Sequence, residues 1–329
     1  VTGLFQERNP FLIPVLFIFS LVLKFGFISH PLAAGAATSG GLLDGWVYGI
    51  WWKQLNPSFL AALSFLVLFF TGLFFNYLLL EKRMFHRSHL LTALSFVILS
   101  SLFAGVQRMQ AGVVMLPLTL LLYNQTLKLY NTSSPKSIVT NIGLLAGTGV
   151  LLYHPYWWML PFCLLALGIM RPFKLNEWVL LVLSFMIPAY CVLSYEFLTD
   201  QWNPLRHWPV WNPIRNLPDF NTWWTIAIAV AFIWLLDGFV KWQKNNQRML
   251  IQNRKNWTLL LLLGIFILPS LFFPSGNVEE GMTLLLLPMS AFASNSFLGG
   301  QKKWFHHLFF WILVATAGVV SWAFLNNLA

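Results

Sequence analysis

The 329-residue chain is 58% hydrophobic and only 9% charged, with a formal net charge of +10. A soluble domain carries roughly a quarter charged residues, so this composition excludes a water-soluble globular protein and points to a membrane. The Lys and Arg residues stand in short loops between apolar runs, where membrane topology explains them and nucleic acid does not.

A helix needs about 20 apolar residues to cross the hydrocarbon core, and fewer where the bilayer adapts. Eleven runs are candidates: 11–28, 59–80, 90–104, 112–123, 138–153, 157–170, 178–197, 223–239, 257–273, 282–298 and 308–325. The fourth and sixth are short, and the fourth can run on to Leu129 through Asn124 and Gln125. The first is long enough to stay in the membrane and shows no small-residue processing site, so a cleaved signal is not expected. The whole of 1–329 reads as one all-α integral membrane domain.

Charge tests that count. With the N-terminus inside and eleven spans, the inner segments hold 15 of the 20 basic residues: Arg8, Lys82, Arg83, Arg87, Lys128, Lys136, Arg171, Lys174, Lys241, Lys244, Arg248, Arg254, Lys255, Lys302 and Lys303. The outer segments hold four, Lys53, Arg108, Arg206 and Arg215. Lys and Arg favour the cytoplasmic side, and one missed span would exchange the sides of everything after it. The expected topology is therefore N-terminus inside and C-terminus outside, in a bacterial inner membrane. Lys24 alone lies within a span, near its outer end, where its stem is expected to snorkel to the interface.

The outer segments carry the unusual residues. The first, within 30–57, holds Asp44 beside Leu43, Trp46, Val47 and Ile50, a helical spacing that predicts a helix lying in the interface. Short connections follow at Arg108 and at His154-Pro155-Tyr156. A long one, within 198–222, contains Trp202-Asn203-Pro204-Leu205-Arg206, echoed by Trp211-Asn212-Pro213-Ile214-Arg215, with His207 and Trp208 between them. Its prolines fix φ and predict a stiff loop. Its arginines suit bidentate phosphate contacts, and its tryptophans suit stacking on sugars or tails. The plainer reading is an interfacial loop anchored by tryptophan. Asp44 has two readings as well: a general base or metal ligand, or a helix cap. Glu279 and Glu280 are adjacent, so they point apart and form no acid/base pair.

Several chemistries leave no trace. There is no phosphate-binding G-x-x-x-x-G-K-[ST] loop, no H-E-x-x-H and no G-x-S-x-G elbow. Cys163 and Cys191 both lie in apolar runs and give no disulfide framework or metal spacing. No cofactor, metal or nucleic acid is expected.

The run 141–156 (NIGLLAGTGVLLYHPY), followed by an apolar span ending at Met170-Arg171, carries two resemblances. With Gly3-Leu4-Phe5, Asn9-Pro10, 76–85 (NYLLLEKRMF) and 153–178, it resembles an uncharacterised family of polytopic bacterial inner-membrane proteins over the first two thirds of the chain. That family implies no known activity. In architecture the chain is similar to the GT-C membrane glycosyltransferases, which use polyprenyl-phosphate sugars. That resemblance implies an acid in the first outer loop, matched only by Asp44, and outer basic residues on the lipid phosphate, matched by Arg206 or Arg215. The chain departs from that pattern: its acid does not closely follow the first span, and no large outer domain follows the last. The expected function is binding or processing of a lipid-linked glycan or polyprenyl phosphate at the outer face. The alternatives are a transporter or flippase, and a non-enzymatic membrane subunit.

Overall fold

The computed structural model describes residues 5, 11–30, 52–85, 89–200, 222–247, 249–271, 278–298 and 303–328. The regular structure among them is helical. Eleven α-helices follow in order: α1 (Leu12–Ser29), α2 (Pro57–Glu81), α3 (Leu91–Ser101), α4 (Ala111–Lys128), α5 (Lys136–Leu152), α6 (Met159–Met170), α7 (Leu175–Leu198), α8 (Thr222–Asn246), α9 (Ile251–Ile267), α10 (Val278–Leu298) and α11 (Lys303–Leu328). Short 3-10 turns stand at Trp52–Gln54, Ala104–Gln107, His154–Trp158 and Leu268–Leu271. The helix ends follow local chemistry. Asn56 caps α2 by accepting the Ser58 amide at 3.1 Å, and Pro57 opens that helix without a wasted donor. The fourth apolar run does extend through Asn124 and Gln125, ending as a helix at Lys128.

By length and composition six helices can cross a membrane: α1, α2, α7, α8, α9 with its final turn, and α10. The chain is thus a multi-pass membrane protein. Helix α3 has eleven residues, about 16 Å at the α-helical rise, too short to span lipid alone. All eleven are buried, so α3 sits inside the bundle and meets no bilayer. The apolar stretch of α10 is 83% buried against 22% for α7, which places α10 centrally and α7 at the rim. The composition agrees, because α10 carries Thr283, Ser290, Ser294, Asn295 and Ser296, side chains that lipid would penalise.

Side-chain contacts set the relative directions of the helices. Gly143 of α5 meets Leu181 and Ser184 of α7, and Gly147 meets Phe185 and Pro188, so α5 and α7 run parallel. Gly238 of α8 meets Phe292 of α10, and Lys241 meets Ser296, so α8 and α10 run parallel. Thr92 of α3 bonds Ser294 while Gln110, past the end of α3, bonds Thr283, so α3 opposes α10. Phe19 of α1 stacks on Phe310 of α11, each eight residues into its helix. These directions gather Lys82, Arg83, Lys128, Lys136, Arg171, Lys174, Lys241, Lys244, Arg254 and Lys255 at one end of the bundle. We call this the basic end. Lys53 and Arg108 lie at the opposite end.

Lys24 corrects the sequence expectation. It belongs to the buried stripe Leu16, Ser20, Leu23, Lys24 and Phe27 of α1, and it is 1% exposed. It does not reach along the helix to the interface. Its Nζ turns into the bundle, 5.9 Å from the centre of the Phe65 ring of α2.

Candidate functional site

Polar groups collect at the end opposite the basic one, where the connections α3–α4, α5–α6 and α9–α10 meet. Gln110, 1% exposed at the start of α4, donates its Nε2 to Thr283 Oγ1 at 3.0 Å. Thr283 in turn donates to the Glu279 carbonyl one helical turn back, at 2.7 Å. Gln107 donates to the Ser100 carbonyl and closes the end of α3.

Arg108 and the two glutamates supply the charge. The Glu279 carboxylate lies against Gly105, where any Cβ would collide with it, and it interacts electrostatically with Arg108. Glu280 turns the other way. Its backbone packs on Gly112, and its carboxylate acts on the buried phenol of Tyr153, which also meets Ser270. Gly281 lets Leu271 and Ser270 close on the same turn. The two carboxylates therefore serve different neighbours, as adjacency on a helix demands, and form no acid/base pair. Next to Tyr153, burial holds the His154 imidazole below its ordinary pKa, so it stays neutral at neutral pH.

The arrangement leaves capacity unused. Among the described residues, Arg108 Nε has no acceptor and Gln110 Oε1 has no donor, although both atoms are buried. A buried donor and a buried acceptor thus stand open within one cluster. No group of three His, Cys, Asp or Glu side chains able to hold a metal occurs among the described residues.

The site residues expected from sequence, Asp44, Trp202, Arg206, His207, Trp208, Trp211 and Arg215, lie outside the described residues, as does the interfacial helix expected around Asp44. The flanks of the tryptophan- and proline-rich stretch are described. Helix α7 runs parallel to α5 and ends where Tyr153 stands; α8 runs parallel to α10 and starts where Glu279 stands. Both flanks therefore stand at the end that holds Arg108. Sequence reasoning passed over Gln107, Gln110, Tyr153, Ser270 and Thr283. The available signal was the polar content of 278–298 together with Gly105, Gly112 and Gly281, each now seen to admit a neighbouring chain.

The model of a family of unknown function, DUF6427, matches residues 47–327, from before α2 into α11. The chain belongs to the DUF6427 family. Helix α1 precedes the matched region of this DUF6427 chain, and the Arg108 cluster lies within it. No curated protein and no solved structure matches it.

Proposed function

We propose that this DUF6427 chain is an eleven-span protein of the bacterial inner membrane that binds the head group of a lipid-linked glycan or polyprenyl phosphate at the outer face. The N-terminus is inside and the C-terminus outside. One observation carries the reading: the buried, incompletely paired Arg108 cluster and both flanks of the 201–219 stretch share the end of the bundle that is poor in Lys and Arg. The positive-inside rule makes that end the outer one. The alternating helix directions support eleven crossings. In this reading Arg206, His207 and Arg215 hold the phosphate, and Trp202, Trp208 and Trp211 form the platform for tail or sugar. Asp44 is the base if the chain is a GT-C-like glycosyltransferase; a non-catalytic relative would bind without it.

The test is native mass spectrometry of the purified protein. The wild type is expected to carry a polyprenyl lipid that Arg206→Ala/Arg215→Ala loses. Equal retention by both forms would sink the phosphate clamp.

A specific observation favours a transporter or flippase as the second reading. Hydroxyls line the α3–α10 contact from Thr283 to Ser294 and Thr92, deep in the bundle. Ser290 and Ser294, however, donate to carbonyls of their own helix at 3.0 and 2.8 Å. Hydroxyls closed in this way serve packing more than passage, and substrate flux in proteoliposomes would separate the two readings.

A further inference from the structure

We infer that Lys24 and Ser20 of α1 form an oxyanion subsite that holds the phosphate of the lipid bound at the outer face. The inference rests on the lipid-binding reading above and adds the residues that recognise the charge from within the bundle.

The argument is one of unmatched donors. Lys24 is the only charged residue well inside a helix with its side chain turned to the bundle and no ion-pair partner among the described residues. Its one described contact with a π system, 5.9 Å from the Phe65 ring, is at the limit of a cation–π interaction and supplies no acceptor. A buried ammonium without a partner is strongly disfavoured, and inside a membrane such a group marks a functional position. Ser20 lies one turn before Lys24 on the same face and is also 1% exposed. Buried helical hydroxyls in this protein usually bond back to their own backbone, as Ser100, Ser101, Thr119, Thr126 and Ser184 do. Ser20 Oγ does not, and neither does Ser64 Oγ, which neighbours Phe65 on the facing helix. The buried face of α1 thus presents an ammonium and an unbonded hydroxyl, with no carboxylate among the described residues to receive them.

One oxyanion supplies several acceptors at once, and a phosphate suits the combination of ammonium and hydroxyl. The depth also fits a lipid. Lys24 lies five residues before the end of α1, about 8 Å below the outer end of the helix, within reach of a head group. A lysine retained only for packing would be better replaced by methionine, which fills the same volume without charge.

The test titrates purified protein in detergent with undecaprenyl phosphate, undecaprenol and inorganic phosphate, read by native mass spectrometry. Lys24→Met is expected to weaken undecaprenyl phosphate about tenfold or more, and to leave undecaprenol unchanged. Lys24→Arg keeps affinity within about threefold, and Ser20→Ala loses about threefold. Lys24→Met removes a buried charge, so it should melt no lower than the wild type, which keeps the variant usable. If Lys24→Met and Ser20→Ala both bind as the wild type does, the subsite is overturned. If Arg206→Ala/Arg215→Ala abolishes binding in the same experiment, the lipid reading survives that loss. If no form binds the lipid, but inorganic phosphate binds and depends on Lys24, the lipid reading falls and the oxyanion subsite stands. Failure of both probes on the wild type overturns both.

Discussion

At the scale of single residues, the strongest constraints sit at the basic end. Arg171 Nε bonds Glu177 Oε2 at 3.0 Å, with side chains only 10% and 8% exposed, and the guanidinium also reaches the Thr132 carbonyl. This pair ties the end of α6 to the start of α7 and to the α4–α5 connection. Glu177→Ala leaves the guanidinium buried without its partner, so a loss of about 3 kcal/mol is expected in thermal or denaturant unfolding in detergent. Arg171→Met/Glu177→Met should recover most of that loss, since neither charge then remains buried. His89, 1% exposed just before α3, behaves differently. Burial lowers its pKa from 6.5 to about 4, partly offset by its own backbone carbonyl. The unfolded chain therefore binds a proton below pH 6.5 that the folded protein refuses until about pH 4. Stability is fully present above pH 6.5 and falls as the pH drops through that window, by on the order of 3 kcal/mol. Chemical unfolding at pH 7 and pH 4.5 should show the drop in the wild type and a smaller one in His89→Phe. Neither the Arg171–Glu177 pair nor the burial of His89 is legible in the sequence, where nothing distinguishes them from ordinary loop residues. The orientation of Lys24 was hidden for a related reason. Apart from Ser20 and Lys24 themselves, helix α1 is apolar on every side, so no apolar periodicity says which face meets protein and which meets lipid.

At the scale of elements, existence and order were legible, because apolar runs of this length have few other uses. Packing was legible only where glycine or polar residues broke the uniformity. Gly143 and Gly147 form a G-x-x-x-G pair, a spacing that lets helices approach closely, and the structure supplies the partner, α7. A Cβ at Gly147 would collide with the Phe185 carbonyl oxygen, a backbone atom that cannot swing aside. Gly147→Val should therefore cost about 3 kcal/mol, the upper end of overpacking, and lower the melting temperature. Gly318 of α11 is the control: nothing lies within 4 Å of its would-be Cβ, so Gly318→Ala should be neutral or stabilise by up to about 1 kcal/mol. The contrast between central α10 and peripheral α7 follows the same logic. Both are apolar enough to span, but the hydroxyl and amide groups of α10 exclude it from lipid. The Arg108 cluster could not be read this way, because its members come from three connections far apart in sequence.

At the scale of the whole molecule, the remaining question is the number of crossings, and cysteine labelling answers it. Gln54 is exposed before α2 and Asp200 is exposed after α7, so six helices separate them. If each crosses, an even number of reversals returns the chain to the same side. Lys128, Lys174 and Lys244, all exposed at the basic end, then share the other side. Starting from a Cys191→Ser background, with Cys163 buried and silent, Gln54→Cys and Asp200→Cys should react with a membrane-impermeant maleimide in right-side-out vesicles. Lys128→Cys, Lys174→Cys and Lys244→Cys should react only after permeabilisation. The weakest crossings are α3 and α6, with eleven and twelve helical residues. Their shortness argues against a span only where lipid surrounds the helix, and α3 is enclosed by protein along its whole length. If either failed to cross, every later site would exchange sides: Asp200→Cys would be protected in intact vesicles, while Lys174→Cys and Lys244→Cys would label. Labelling of Asp200→Cys and Lys174→Cys on the same side would remove α7 as a crossing. It would also put the end of α7 at the basic end, away from Arg108, and so count against the proposed lipid binding.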